Sequence, residues 1–121
     1  GLVGLPDVLP ANLDPEFTGQ KLLTGASFGS AGAGIDDSTS LPRGTISLGM
    51  QMENFRSYRA DLEDMIGEEG ANKIISRALF AISMGTNDFS ESYYSDSTIR
   101  SKYNIEQFQD LLLADLQPFI Q

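Results

Sequence analysis

At 121 residues with 40% hydrophobic content, the chain has room for one domain or one piece of a domain, and too much apolar material to be disordered throughout. Seventeen acidic against eight basic residues give a net charge of −9, which disfavours nucleic acid and anionic membrane surfaces as partners, because those contacts need clustered Lys and Arg. There is no Cys for a disulfide framework and no His for an imidazole base or ligand, and no apolar run approaches the roughly 20 residues of a bilayer span.

The first residues, Gly1-Leu2-Val3-Gly4-Leu5-Pro6, carry neither an initiator Met nor the basic end and long apolar core of a signal peptide. The expectation is an internal fragment of something longer, cut at both ends. Pro6, Pro10, Pro15 and Gly19 then punctuate an irregular loop, with a turn at Asn12-Leu13-Asp14-Pro15. No Asn-x-Ser/Thr sequon occurs, so no N-glycan site is offered.

Residues 25–29 read as a short strand and residues 30–37 as the Gly-dense loop leaving it. The order Gly29-Ser30-Ala31-Gly32-Ala33-Gly34 is G-x-x-G-x-G, the reverse of the dinucleotide fingerprint, and no Gly-Lys-Ser/Thr follows. No nucleotide or other cofactor is indicated. Asp36-Asp37 lacks companion carboxylates at ligand spacing and suits a cap or turn better than a metal. Ser38 to Arg43 reads as a polar surface loop.

Ser47 is an N-cap candidate. After it Leu48, Met52, Phe55, Leu62 and Met65 or Ile66 recur at helical spacing, and Gly67 fits the stop. The two Met are core filler rather than a cofactor box. A second helix is expected from Glu68 to Arg77, with Ala71, Ile74, Ile75 and Ala78 inward. The continuous apolar run Leu79 to Met84 then reads as a buried parallel strand, closed by the polar turn Gly85-Thr86-Asn87-Asp88. In open α/β sheets ligands bind just past such strand ends, although Gly, Asn and Asp are also ordinary turn residues.

Ser90 to Lys102 reads as a long loop or a loop with one helical turn, in which Tyr93-Tyr94 covers the core rather than lining a cleft. Asn104 and Gln107 form a capping-box pattern at the start of a last helix. Ile105, Phe108, Leu112, Leu116 and Phe119 make its apolar stripe, and Pro118 should kink or end it. Strands alternating with helices imply a parallel sheet with helices on both faces. Two strands are too few to complete one, so further sheet partners are expected.

Two of these segments together carry a family resemblance. Ser27-Phe28-Gly29-Ser30-Ala31-Gly32-Ala33-Gly34 with Asp36-Asp37 resembles the second sequence block of plant GDSL-type esterase/lipases, members of the SGNH hydrolase superfamily, and Gly85-Thr86-Asn87-Asp88-Phe89 resembles the third. The spacer is similar too, at Ile46-Ser47-Leu48, Gln51, Phe55, Tyr58, Gly67-Glu68-Glu69, Ala71 and Ile75, as are Leu5-Pro6, Leu13-Asp14-Pro15 and Ile105-Glu106-Gln107-Phe108. The resemblance implies a three-layer α/β/α flavodoxin-like sandwich with parallel strands, residues 1–121 being one internal part of that single domain. It implies secretion, and a small-molecule or lipid ester as substrate, hydrolysed by a Ser nucleophile and a His base. It also implies an oxyanion hole in which Gly32 gives a backbone N–H and Asn87 a carboxamide, with Gly34 the alternative backbone donor.

Gly29 stands where the family often has Ala, and Ser27 where it often has Asn; neither is a proposed donor. The Gly-Asp-Ser-Leu block and the Asp-x-x-His block are both absent. These residues alone are therefore expected not to hydrolyse esters. A non-catalytic binding or storage protein on the same fold is the alternative. The sequence leaves the oligomeric state open.

Overall fold

The computed structural model describes residues 8–120. Leu5-Pro6, whose proline is the first of the opening loop, lies outside them. The described chain is helical. A 3-10 segment, Gly19–Thr24, precedes α1 (Asp37–Ser40), a second 3-10 segment (Leu41–Arg43) and α2 (Leu48–Ile75). A π-helical turn (Asp88–Tyr93), α3 (Ser97–Lys102) and α4 (Ile105–Ile120) follow.

The expected α/β/α sandwich with parallel strands is not what forms. Among the described residues there is no strand, only an isolated parallel bridge between Ala11 and Ser27. Ser27 N donates to Pro10 O at 2.8 Å and Asn12 N to Ser27 O at 2.9 Å, and the pairing goes no further. Residues 79–84 have no ladder, and Leu79, Phe80 and Ile82 are 87, 59 and 56% exposed. The physical reason is that a strand exists only through its neighbours. Each backbone N–H and C=O needs a partner on an adjacent segment, and here the two apolar runs do not pair with one another. An apolar run advertises burial but cannot supply what buries it.

Contacts divide the chain into two compact units, residues up to Phe28 with Glu53–Ala81, and Gly29–Met52 with the residues from Ile82 on. In the first, Phe17, Leu22, Tyr58, Leu62 and Ala71 form the core, with Phe28, Phe55 and Met65 packed against it. Leu62 is fully buried. The Tyr58 ring stacks on Phe17 and meets Phe28 edge-on, and its hydroxyl donates to Leu22 O at 2.7 Å. Burial pushes that phenol's pKa up. The helical stripe expected after Ser47 forms, with Met65 rather than Ile66 taking its last inward position, and buried Tyr58 was not placed in it from the spacing. Gly67, at φ +78°, interrupts α2 where a stop was expected, and helix resumes beyond it. Helix ends before Arg77, which lies in a turn, and Ala78 is exposed rather than inward.

In the second unit Tyr93, Phe108 and Leu112 make the core, flanked by Ile35, Phe89, Ile99 and Leu111. Of the Tyr pair, Tyr93 is buried and Tyr94 exposed. The start of α4 is fixed locally. Asn104 N donates to Gln107 Oε1 and Gln107 N to Asn104 Oδ1, both at 2.9 Å, a reciprocal capping box. Phe108 and Leu112 are buried as the stripe requires, whereas Ile105 is exposed, and the helix runs through Pro118 to Ile120. At α3 the Asp96 carboxylate accepts from Thr98 N at 2.7 Å, which holds its pKa below the ordinary value. Among the described residues no helix is long and apolar enough to cross a membrane.

Candidate functional site

Residues 30–36 form a loop tied down from several sides. Ala33 N donates to Ser30 O at 3.1 Å, closing a turn in which Gly32 sits at φ +83°, a conformation that costs a side chain dearly. Ser30 Oγ accepts from Ile46 N at 3.1 Å. Asp36 caps α1, its side chain accepting from Ser38 N at 2.6 Å. The stretch expected as a surface loop instead forms α1 and a 3-10 segment, and it buries Thr39 (2% exposed) and Ser40 (fully buried).

Asn87 leads into the π-helical turn Asp88–Tyr93, a rare helix form that recurs at functional sites. Its Nδ2 donates to Ala33 O at 2.8 Å, so the carboxamide lies against the residue following Gly32. A carboxamide has two N–H groups, and one remains after this bond. No acceptor among the described residues engages the Gly32 N–H. The Gly34 N–H, by contrast, is taken by Ser40 Oγ at 3.0 Å.

Asp88 is fully buried and joins the two segments. Its Oδ2 accepts from Ile35 N at 2.8 Å, and its Oδ1 from Asp36 N and Thr39 Oγ1, each at 3.0 Å. Since the Thr39 proton goes to Asp88, the 2.8 Å contact between Thr39 Oγ1 and Ser92 Oγ is donated by Ser92. No ion pair among the described residues reaches Asp88. Its oxygens are satisfied by oriented N–H and O–H groups alone, and no buried polar side-chain atom in the described structure is left without a partner. Gly34 makes room for this arrangement. A Cβ there would stand 2.5 Å from Asp88 Oδ1 and 2.6 Å from Thr39 Cβ.

Sequence reading singled out Gly32 and Asn87 but missed the clamp of Asp88, Thr39, Ser40 and Ser92. The only hint was chemical, in that the short hydroxyls of Thr39 and Ser40 can be buried once paired. Among the described residues no group of His, Cys, Asp or Glu is arranged to hold a metal.

Asp115, on α4, has its pKa raised by partial burial and then by the charges of Asp36, Asp37 and Asp88. Its folded-state pKa exceeds the unfolded one, so stability falls as pH climbs from about 4, the ordinary carboxylate value, and the penalty is complete at neutral pH. Asp115→Asn is expected to raise the denaturation midpoint slightly at pH 7, less in high salt, and to change nothing once the pH is below the ordinary carboxylate value. Denaturant titrations at several pH values check this.

A buried carboxylate bonded to Ile35 N and Asp36 N beside a carboxamide defines no catalytic class by that geometry alone. The chain belongs to the GDSL-like lipase/acylhydrolase family, whose pattern matches residues 1–120. Three GDSL esterase/lipases of Arabidopsis thaliana are similar to it. One is 40% identical over 98% of this chain and 34% of its own length, a second 38% over 98% and 34%, and a third 36% over 99% and 33%. The chain therefore spans about a third of the length of the curated relatives it matches. No solved structure matches it.

Proposed function

We propose that this chain supplies the anion-stabilising part of a carboxylic ester hydrolase, as one section of the single catalytic domain of a longer polypeptide that brings the Ser nucleophile and the His base. Attack on an ester carbonyl drives negative charge onto the former carbonyl oxygen. Fixed donors aimed at that oxygen stabilise it without reorganising. The Gly32 N–H and the second Asn87 N–H are those donors. The observation that carries this reading is the 2.8 Å bond from Asn87 Nδ2 to Ala33 O, which ties the carboxamide to the turn containing Gly32. The engagement of the Gly34 N–H by Ser40 Oγ favours Gly32 over Gly34 as the backbone donor.

A neutral amide suits the task. It offers N–H groups and no repelling charge, whereas a carboxylate would offer only lone pairs. The substrate is a small-molecule or lipid ester, and secretion belongs to the same proposal. The test compares the full-length protein with residues 1–121 alone on p-nitrophenyl butyrate. The full-length protein is expected to turn over and to be silenced by a fluorophosphonate, which reacts with an activated Ser. Residues 1–121, having no His, are expected to stay at the buffer rate. A full-length protein that binds esters without turnover would replace this reading with that of a binding or storage protein.

A further inference from the structure

We infer that Asp88 is a positioning residue that sets the separation between the two anion donors; this rests on the function proposed above. The carboxylate follows Asn87 directly in the chain, so wherever it is anchored, the carboxamide is anchored one residue away. Its partners lie on the other donor's segment. Ile35 N and Asp36 N point at separate oxygens, at 2.8 and 3.0 Å, and Thr39 adds a third bond from α1. A fully buried carboxylate with no cation beside it among the described residues is costly unless its bonds are complete. Its retention here is explained by what those bonds hold together. Gly34 supports the same conclusion independently, since its missing side chain is the space that Asp88 Oδ1 and Thr39 occupy.

Asp88 touches neither substrate nor reacting atoms in this scheme. It acts through the Asn87–Ala33 contact and the turn at Gly32. What it controls is a distance between two groups, and that distance loses meaning when one group is gone. A double-mutant cycle in the full-length protein, assayed with p-nitrophenyl butyrate, reads this directly. Asp88→Asn keeps the shape but turns one acceptor into a donor facing an N–H. It is expected to lower kcat by about 10- to 100-fold with KM within about threefold of wild type, as for displaced donors. In the Asn87→Ala background the same change should cost no more than about threefold, because no separation is left to spoil. A merely structural Asp88 would lower the melting temperature and kcat equally in both backgrounds, and full additivity overturns the inference.

Should Asp88→Asn fail to fold, Thr39→Val removes one bond to Oδ1 while keeping the side chain's shape. It is expected to lower kcat by about 3- to 10-fold in wild type only, in line with loss of one bond to a charged group. Wild-type kcat in Thr39→Val, or an equal loss in both backgrounds, sinks the inference as well. Failure of the underlying reading looks different: Asn87→Ala alone would then leave kcat unchanged.

Discussion

Replacing Asn87 by Ala in the full-length protein is expected to lower kcat on p-nitrophenyl butyrate by about 10²–10³, roughly 3–4 kcal/mol of transition-state stabilisation, the usual loss for one oxyanion donor. KM should move little, because the donor is called on only when charge develops on the oxygen. The variant also removes the bond to Ala33 O, so the turn at Gly32 loses one of its restraints. Asn87→Asp should be at least as damaging. It keeps the shape but sets a carboxylate where the Nδ2 stood, 2.8 Å from a carbonyl oxygen and one residue from buried Asp88. Steady-state kinetics of both variants, with circular dichroism to show that they fold, decide the matter. A kcat within a few-fold of wild type in Asn87→Ala would remove Asn87 from the chemistry.

Gly34→Ala is expected to be the most destabilising single methyl in the second unit. The added Cβ would lie 2.5 Å from Asp88 Oδ1 and 2.6 Å from Thr39 Cβ, distances that real Cβ atoms do not show. Thr39 Cβ sits next to its own backbone in α1 and cannot swing away. Asp88 can yield only by giving up bonds from Asp36 N and Thr39 Oγ1. Overpacking together with a buried carboxylate deprived of donors is expected to cost about 3 kcal/mol or more. Gly32→Ala makes the control. Only Thr45 Cγ2 comes near, at 3.4 Å, so its cost is the backbone strain of φ +83°, about 1–2 kcal/mol. Denaturant unfolding of the two variants should therefore rank Gly34→Ala well below Gly32→Ala. The reverse order would mean that the clamp around Asp88 is looser than its bond lengths indicate.

The contrast between these glycines marks how far the sequence could be read. Both lie in the same Gly-dense run, and nothing in that run separates a donor from a spacer. The difference lies in Ser40, which takes the Gly34 N–H, and in Asp88, which fills the space a side chain would need. Neither was legible, because Ser40 read as surface and Asp88 as a turn residue.

What the sequence determined by itself is the family and the helix caps and breaks settled within about one helical turn. Asn104 and Gln107 cap α4 through bonds three residues apart, Asp36 caps α1 two residues on, and Gly67 breaks α2, each a short-range contest between backbone and neighbouring side chain. What only the tertiary structure decided depends on partners far along the chain. A bond from Ile35 N to Asp88 spans 53 residues, and a strand at residues 79–84 would need a ladder that no local pattern can announce. Apolar periodicity states that a segment is to be covered; the identity of its cover is fixed only when the chain has closed on itself.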